Sequence, residues 1–280
     1  VALAPQTRWA SDAVLDDLTR RGKWEEALAR TNAETAVTRE EKMLKRRRQA
    51  VLETALAREL AESDPSVALD HALVALKLVP DFVPAALIAA RIQSNRGDTR
   101  RAMSLLRRGW RATSHPHLAT LYANAQTGAS AVERLKRVRE LIDLPPPNRP
   151  AAIVLARAAV EAFDWATARS ALAEYMEKDP TQAVCLLMAE IEEGQNADQG
   201  RAREWLARAV RAPRDPVWVA DGITSDDWEP ISPVTGELDA FEWRVPLAQA
   251  ATSKSEPLPL AASLPVPPPE TSLAPPTGAQ

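Results

Sequence analysis

Residues Asn95–Leu106 read NRGDTRRAMSLL. A polar turn at Gly97-Asp98 is followed by a helix start, an alanine at 102 and apolar residues at helical spacing. The same order recurs in RRGKWEEALAR (Arg20–Arg30), ESDPSVALDHAL (Glu62–Leu73), AFDWATARSALAEY (Ala162–Tyr175) and NADQGRAREWLARA (Asn196–Ala209). The alanines after the turns are Ala27, Ala68, Ala102, Ala131, Ala168 and Ala202, separated by 41, 34, 29, 37 and 34 residues. The short and long gaps around Ala131 average 33, so the fourth unit reads as displaced rather than missing. Pro65 and Pro116 stand at helix starts, while Pro80, Pro145 and Pro180 stand at helix ends.

A period near 34 with two helices per unit resembles the tetratricopeptide repeat. The resemblance is carried by Gly97-Asp98, the turn alanines, Val79-Pro80 and Asp179-Pro180. It is strong over Glu62–Ser114 and Pro150–Arg214 and weaker over Gln6–Ala61, where a long helix is expected around Thr38–Ala61. Small residues let paired helices approach closely, and leucines such as Leu52, Leu69, Leu106 and Leu172 fill the space between them. One pair cannot bury its own apolar face, so pairs must stack. The expected architecture is all-α: a right-handed α-solenoid of about six helix pairs over residues 1–214.

The resemblance implies recognition of a peptide or protein on the face lined by the first helix of each pair. Counting back 11 residues from the turn alanines gives Arg91, Thr120, Arg157 and Ile191, and four further along give Asn95, Asn124 and Glu161. Arg91 and Arg157 could hold carboxylates of an acidic partner segment through charge-assisted bonds.

Little else in the chain carries chemistry. There is no GxGxxG, GxxxxGK[ST], GxSxG or HExxH, so no catalytic residue is assigned and no enzyme activity is expected. One cysteine, Cys185, allows no internal disulfide and no cysteine zinc site; it reads as a small buried or semi-buried residue, and no metal or cofactor is expected. His115-Pro116-His117 reads as a helix-start surface turn. The basic run Arg39–Arg48 includes Glu40 and Glu41 and reads as a solvated helix face; with a formal charge of −3, no nucleic-acid partner is expected. No apolar run approaches the ~18 residues of a membrane span. The start at Val1 rather than Met raises the expectation that an N-terminal part, with any membrane anchor, lies outside this sequence.

After Arg211 the pattern changes. WVADGITSDDWEPISPVTGELDAFEW (Trp218–Trp243) holds three tryptophans and a Ser232–Gly236 turn. Trp218-Val219 and Phe241–Trp243 are expected to pair as short strands, giving a Trp-rich unit over 215–246. Its aromatics Trp218, Trp228, Phe241 and Trp243 are expected to cap the open apolar end of the last pair, near Leu206. Ala220, Ile223, Ser232 and Thr235 fall at zinc-ribbon spacing, yet none is a zinc ligand, so the unit reads as a metal-free knuckle. Residues 247–280 are proline-rich and are expected to be disordered or polyproline-like.

Repeats followed by this tail resemble the HemY family of proteobacterial inner-membrane proteins. The residues carrying that resemblance are Trp218, Asp221, Gly222, Trp228, Pro230, Ser232–Gly236, Leu238–Phe241 and Trp243. It implies an N-terminal membrane hairpin, repeats on the cytoplasmic face of the inner membrane and a link to late haem biosynthesis. The expected function is a non-enzymatic scaffold for other proteins, haem-pathway enzymes among them. The alternatives are a porphyrin or haem carrier and an envelope-biogenesis adaptor.

Overall fold

The computed structural model describes residues 5–143, 148–177 and 180–247, with side-chain burial from Trp9 onward. The unit ends expected at Pro145 and Asp179, and the tail from residue 248, lie outside the described residues. The described residues up to Pro246 form one compact unit.

Twelve helices form six hairpins among the described residues. They are α1 (Pro5–Arg20) with α2 (Trp24–Ala33), α3 (Arg39–Leu60) with α4 (Pro65–Leu78), and α5 (Val83–Asn95) with α6 (Thr99–Thr113). They continue as α7 (Pro116–Ala123) with α8 (Ala131–Ile142), α9 (Arg149–Glu161) with α10 (Trp165–Glu177), and α11 (Gln182–Asn196) with α12 (Gln199–Ala209). Neighbouring pairs touch, and the first helices α3, α5, α7, α9 and α11 also touch one another in order. This is the tetratricopeptide-like pattern. No described helix is long and apolar enough to cross a membrane.

The local chemistry sets the helix ends. Thr38 with Glu41 and Ser130 with Glu133 form capping boxes. Asp64 accepts from Ser66 and Val67 N–H ahead of Pro65, and Asn148 accepts from Ala151 N–H ahead of Pro150. Five of the turn alanines, Ala27, Ala68, Ala102, Ala168 and Ala202, are buried at the helix crossings. Ala131 is different. It is the first residue of α8 and half-buried. Leu135, one turn later and 4% exposed, occupies the buried place. It stands 33 residues from both Ala102 and Ala168. The period holds in the fourth unit, but a leucine carries it.

The tail unit contains β1 (Val217–Ala220), β2 (Ile223–Ser225) and β3 (Glu242–Arg244), in the antiparallel order β2-β1-β3. The expected pairing of Trp218 with the Phe241–Trp243 segment is present, with Trp218 opposite Trp243. The β1–β2 hairpin turns at Asp221 (φ 48°) and Gly222 (φ 81°), both left-handed as an Asp-Gly two-residue turn requires.

Contrary to the expectation from the sequence, the aromatics of the tail unit do not cap the last pair. The unit folds back along the first helices. Trp218, Trp228 and Phe241 join one core with Val51, Phe82, Leu118 and Ala151, from α3 through α9. Leu238 packs against Leu15, Ala27 and Leu52 of the first two pairs. Leu206, the residue the unit was expected to cover, is 47% exposed. The physical reason is where apolar surface is offered. At the start of α5 Phe82 offers a ring that Trp228 meets, and at the start of α7 His115 lies against Trp218 and Trp243, whereas the shared core holds no residue of α12.

A chain ending at Arg214 should therefore lose at least ~5 kcal/mol, from several aromatic side chains at about 1.5–3 kcal/mol each, and should self-associate in light scattering. Leu206→Ser in the full chain should leave the melting temperature within about 1 °C, as expected for a surface change. Sensitivity at Leu206 with a stable truncated chain would reverse this account.

Candidate functional site

The face lined by the first helices is shared between the tail unit and solvent. Three arginines hold the tail unit in register. Arg47 donates twice to Asp239, at 2.6 and 2.8 Å, and lies 4.4 Å over the Phe82 ring. Arg58 grips Glu229 with two bonds and donates to the Trp228 carbonyl at 2.9 Å. Arg20 donates to the Thr235 carbonyl at 2.9 Å. The basic run from Arg39 is thus not simply a solvated face. Besides Arg47, Lys45 donates to the Asn32 and Glu34 carbonyls at the end of α2, and Arg48 pairs with Asp12.

The aromatic side chains fill specific places. Trp228 meets Phe82 edge-on at 5.4 Å. His115, at the start of α7, is 3% exposed and lies 5.4 Å from Trp218, 4.0 Å from Trp243 and 4.9 Å from His117. Its Nδ1 accepts from His117 N–H, which caps α7, and its Nε2 is buried without a partner. Burial, with His117 beside it, pushes His115 down from 6.5 to about 3. The surface turn expected at His115–His117 is instead a buried one at His115. Its packing role depends on residues a hundred positions away and carried no local signal.

The knuckle positions hold no metal ligand, and a carboxylate stands among them. Asp221 Oδ2 accepts from Ser232 Oγ at 2.5 Å and Thr235 Oγ1 at 2.6 Å. Ser232 Oγ in turn accepts from the Val234 and Thr235 N–H groups. The two hydroxyls hold Asp221 below the usual carboxylate range. Ala220 and Ile223 face each other across the Asp221-Gly222 turn. No group of three or more metal-ligating side chains occurs among the described residues.

The rest of the face is open. Arg91, Asn95, Thr120, Asn124, Arg157 and Glu161 are all exposed. With Leu135 as the true register mark of the fourth unit, counting back 11 gives Asn124. Arg91, Asn124 and Arg157 then each lie eight residues beyond the first residue of their helix. Thr120 sits one turn earlier. Ile191 is not part of the row; it is fully buried, and Glu190 takes the exposed place beside Arg157. Arg157 donates to both carboxylate oxygens of Glu190, at 2.8 and 2.7 Å, and Glu161 pairs with Arg134 at 3.3 Å. Thr120 and Asn124 bond the Pro116 and Thr120 carbonyls within α7. Arg91 and Asn95 make no side-chain bond among the described residues. The row is therefore mixed rather than basic. A cleft of about 610 Å³ opens where the face meets β2, lined by Gln182, Leu186, Arg214, Asp215 and Thr224.

No family model matches the chain. Among curated proteins it is 26% identical over 236 residues to the "Probable magnetosome protein Mms48" of Magnetospirillum gryphiswaldense, covering 80% of this chain and 51% of that protein. The chain thus spans about half the length of that relative. Among solved structures it is similar to a tetratricopeptide repeat protein from Parabacteroides merdae ATCC 43184. The TM-score there is 0.37 and the identity 18%, over 71% of this chain and 78% of that one.

Two substitutions test how the tail unit is held. A Cβ at Gly236 would meet the Arg20 side chain at 2.4 Å, and the φ of 74° is left-handed. Gly236→Ala should lower stability by about 1–2 kcal/mol in urea titration. His115 stays neutral in the folded state, while the unfolded chain takes a proton as pH falls through 6.5. Its contribution is complete above pH 6.5 and is lost below it, by about 2 kcal/mol at pH 5. His115→Phe should flatten the melting temperature between pH 7 and pH 5. A profile as steep as that of the unaltered chain would show that the acid sensitivity lies elsewhere.

Proposed function

We propose that this protein is a non-enzymatic scaffold that binds other proteins along the open part of the first-helix face. The observation that carries this reading is the row Arg91, Asn124 and Arg157, set on α5, at the C-terminal cap of α7 and on α9, and left uncovered by the tail unit. Aligned side chains on adjacent helices offer a periodic partner several contacts at once, and the cleft at Leu186 extends the surface to the last pair. The internal Arg157–Glu190 pair favours a partner with both polar and charged groups over a purely acidic one.

The resemblance to the HemY family supports a finer reading, in which the partners are haem-pathway enzymes gathered at the cytoplasmic face of the inner membrane. A porphyrin carrier would need ring faces to stack on. Trp218 and Trp228 are 6% exposed and already engaged with His115 and Phe82, which favours the scaffold.

Affinity capture from solubilised membranes of the source cells should retain a defined partner. Arg91→Glu with Asn124→Arg should lose it without a change in melting temperature, because both residues are exposed. Equal capture by both proteins would defeat the reading, and a sharp Soret shift on titration with haem would transfer support to the carrier.

A further inference from the structure

Many of the arginines are tied down inside the molecule. Arg47, Arg48, Arg58, Arg134, Arg139, Arg157 and Arg169 each meet a carboxylate. Helix α6 departs from this. It carries five arginines, no lysine and no acid. Arg107 turns inward and donates to the Tyr122 hydroxyl at 2.7 Å. Arg100, Arg101, Arg108 and Arg111 are exposed, and of these only Arg101 approaches a carboxylate, Asp98 at 3.8 Å. Arg100, Arg108 and Arg111 have no ion pair or hydrogen bond among the described residues.

Positions 100, 104, 108 and 111 follow one another at steps of four, four and three, which places Arg100, Ser104, Arg108 and Arg111 on one outward stripe. The stripe is about 16 Å long at the helical rise. The apolar side chains Ala102, Leu106 and Trp110 are buried on the other side of the helix. As the second helix of its pair, α6 presents this stripe away from the row described above.

We propose that the stripe docks an acidic segment of a partner protein, whose carboxylates at matching spacing are held by the guanidinium forks of Arg100, Arg108 and Arg111. Like charges at these spacings repel, and a counter-charge relieves that repulsion. Arginine without lysine favours forked pairing with planar carboxylates. The outward positions hold no large apolar side chain, so a partner must bring charge rather than an apolar centre. An extended polyanion is a poorer fit. The chain is −3 overall, and beyond a screening length of ~8 Å a bilayer or a duplex meets a net-negative molecule. A short acidic segment feels the stripe alone. The proposal concerns a different face from the scaffold row and stands independently of it.

The test uses the full chain and a fluorescein-labelled helical peptide of about 16 residues, with glutamates spaced to match the stripe. Anisotropy should report binding at about 50 mM salt that weakens at least tenfold by about 300 mM. Arg100→Glu, Arg108→Glu and Arg111→Glu together should abolish it. Arg203→Glu with Arg211→Glu, exposed arginines at α12, should change it less than about twofold. Melting curves of both variants check that each is folded. No binding at low salt, or binding that survives the triple reversal, would overturn the proposal. So would tighter binding of phosphatidylglycerol vesicles or duplex DNA that the triple reversal abolishes.

Discussion

The burial of three aromatic side chains, Trp218, Trp228 and Phe241, against the first helices is the constraint on which the arrangement of the molecule rests. Helix pairs alone would leave uncovered the Phe82 face that meets Trp228, at the start of α5, and the His115 face that meets Trp218, at the start of α7. The aromatic side chains remove that surface, at roughly 1.5–3 kcal/mol for each side chain buried. The arginine pairs contribute differently. Arg47 and Arg58 are about two-fifths exposed, so screening keeps each pair modest in energy. Their value is in register: two forked contacts and the Arg20 bond fix where the unit lies along the helices.

This arrangement divides the face lined by the first helices. One part holds an internal occupant fixed by a shared core. The other keeps its polar row and a cleft beside β2. The internal occupant also accounts for the chemistry of the Ser232–Gly236 turn. With Asp221 bonded to both hydroxyls, the turn is held by a side chain of its own strand pair. It is thereby shaped to present Thr235 to Arg20 and Asp239 to Arg47.

Much of the helical part was legible because its signals are local. Turn residues, caps and a spacing near 34 residues appear within each unit and need no knowledge of distant contacts. In the fourth unit residue type points to Ala131 while burial points to Leu135, a difference that shifts the row by one turn at Thr120. Ile191 was misassigned because a count of 11 does not distinguish the buried side of α11 from its exposed side. The Asp221-Gly222 hairpin is readable as well, since that dipeptide is a strong turn signal. Where the tail unit docks was not readable. Arg47 with Asp239, and His115 with Trp243, meet only after the chain has folded back on itself, and nothing in their own neighbourhoods announces a partner.

Stacked repeats ordinarily depend only on their neighbours, so they can form one pair at a time from either end. The fold-back here changes the order of events. Arg20 waits for Thr235, 215 residues later, and Arg47 for Asp239, 192 residues later. During synthesis the leading helix pairs leave the ribosome with their inner surface unfinished until nearly the whole length of residues 1–246 has emerged. Long loop closures of this kind slow the final step and make it all-or-none. The half-made chain is thus the stage at which chaperone capture matters most, and a ribosome stalled before Trp218 releases a product prone to aggregation rather than a shorter folded repeat array.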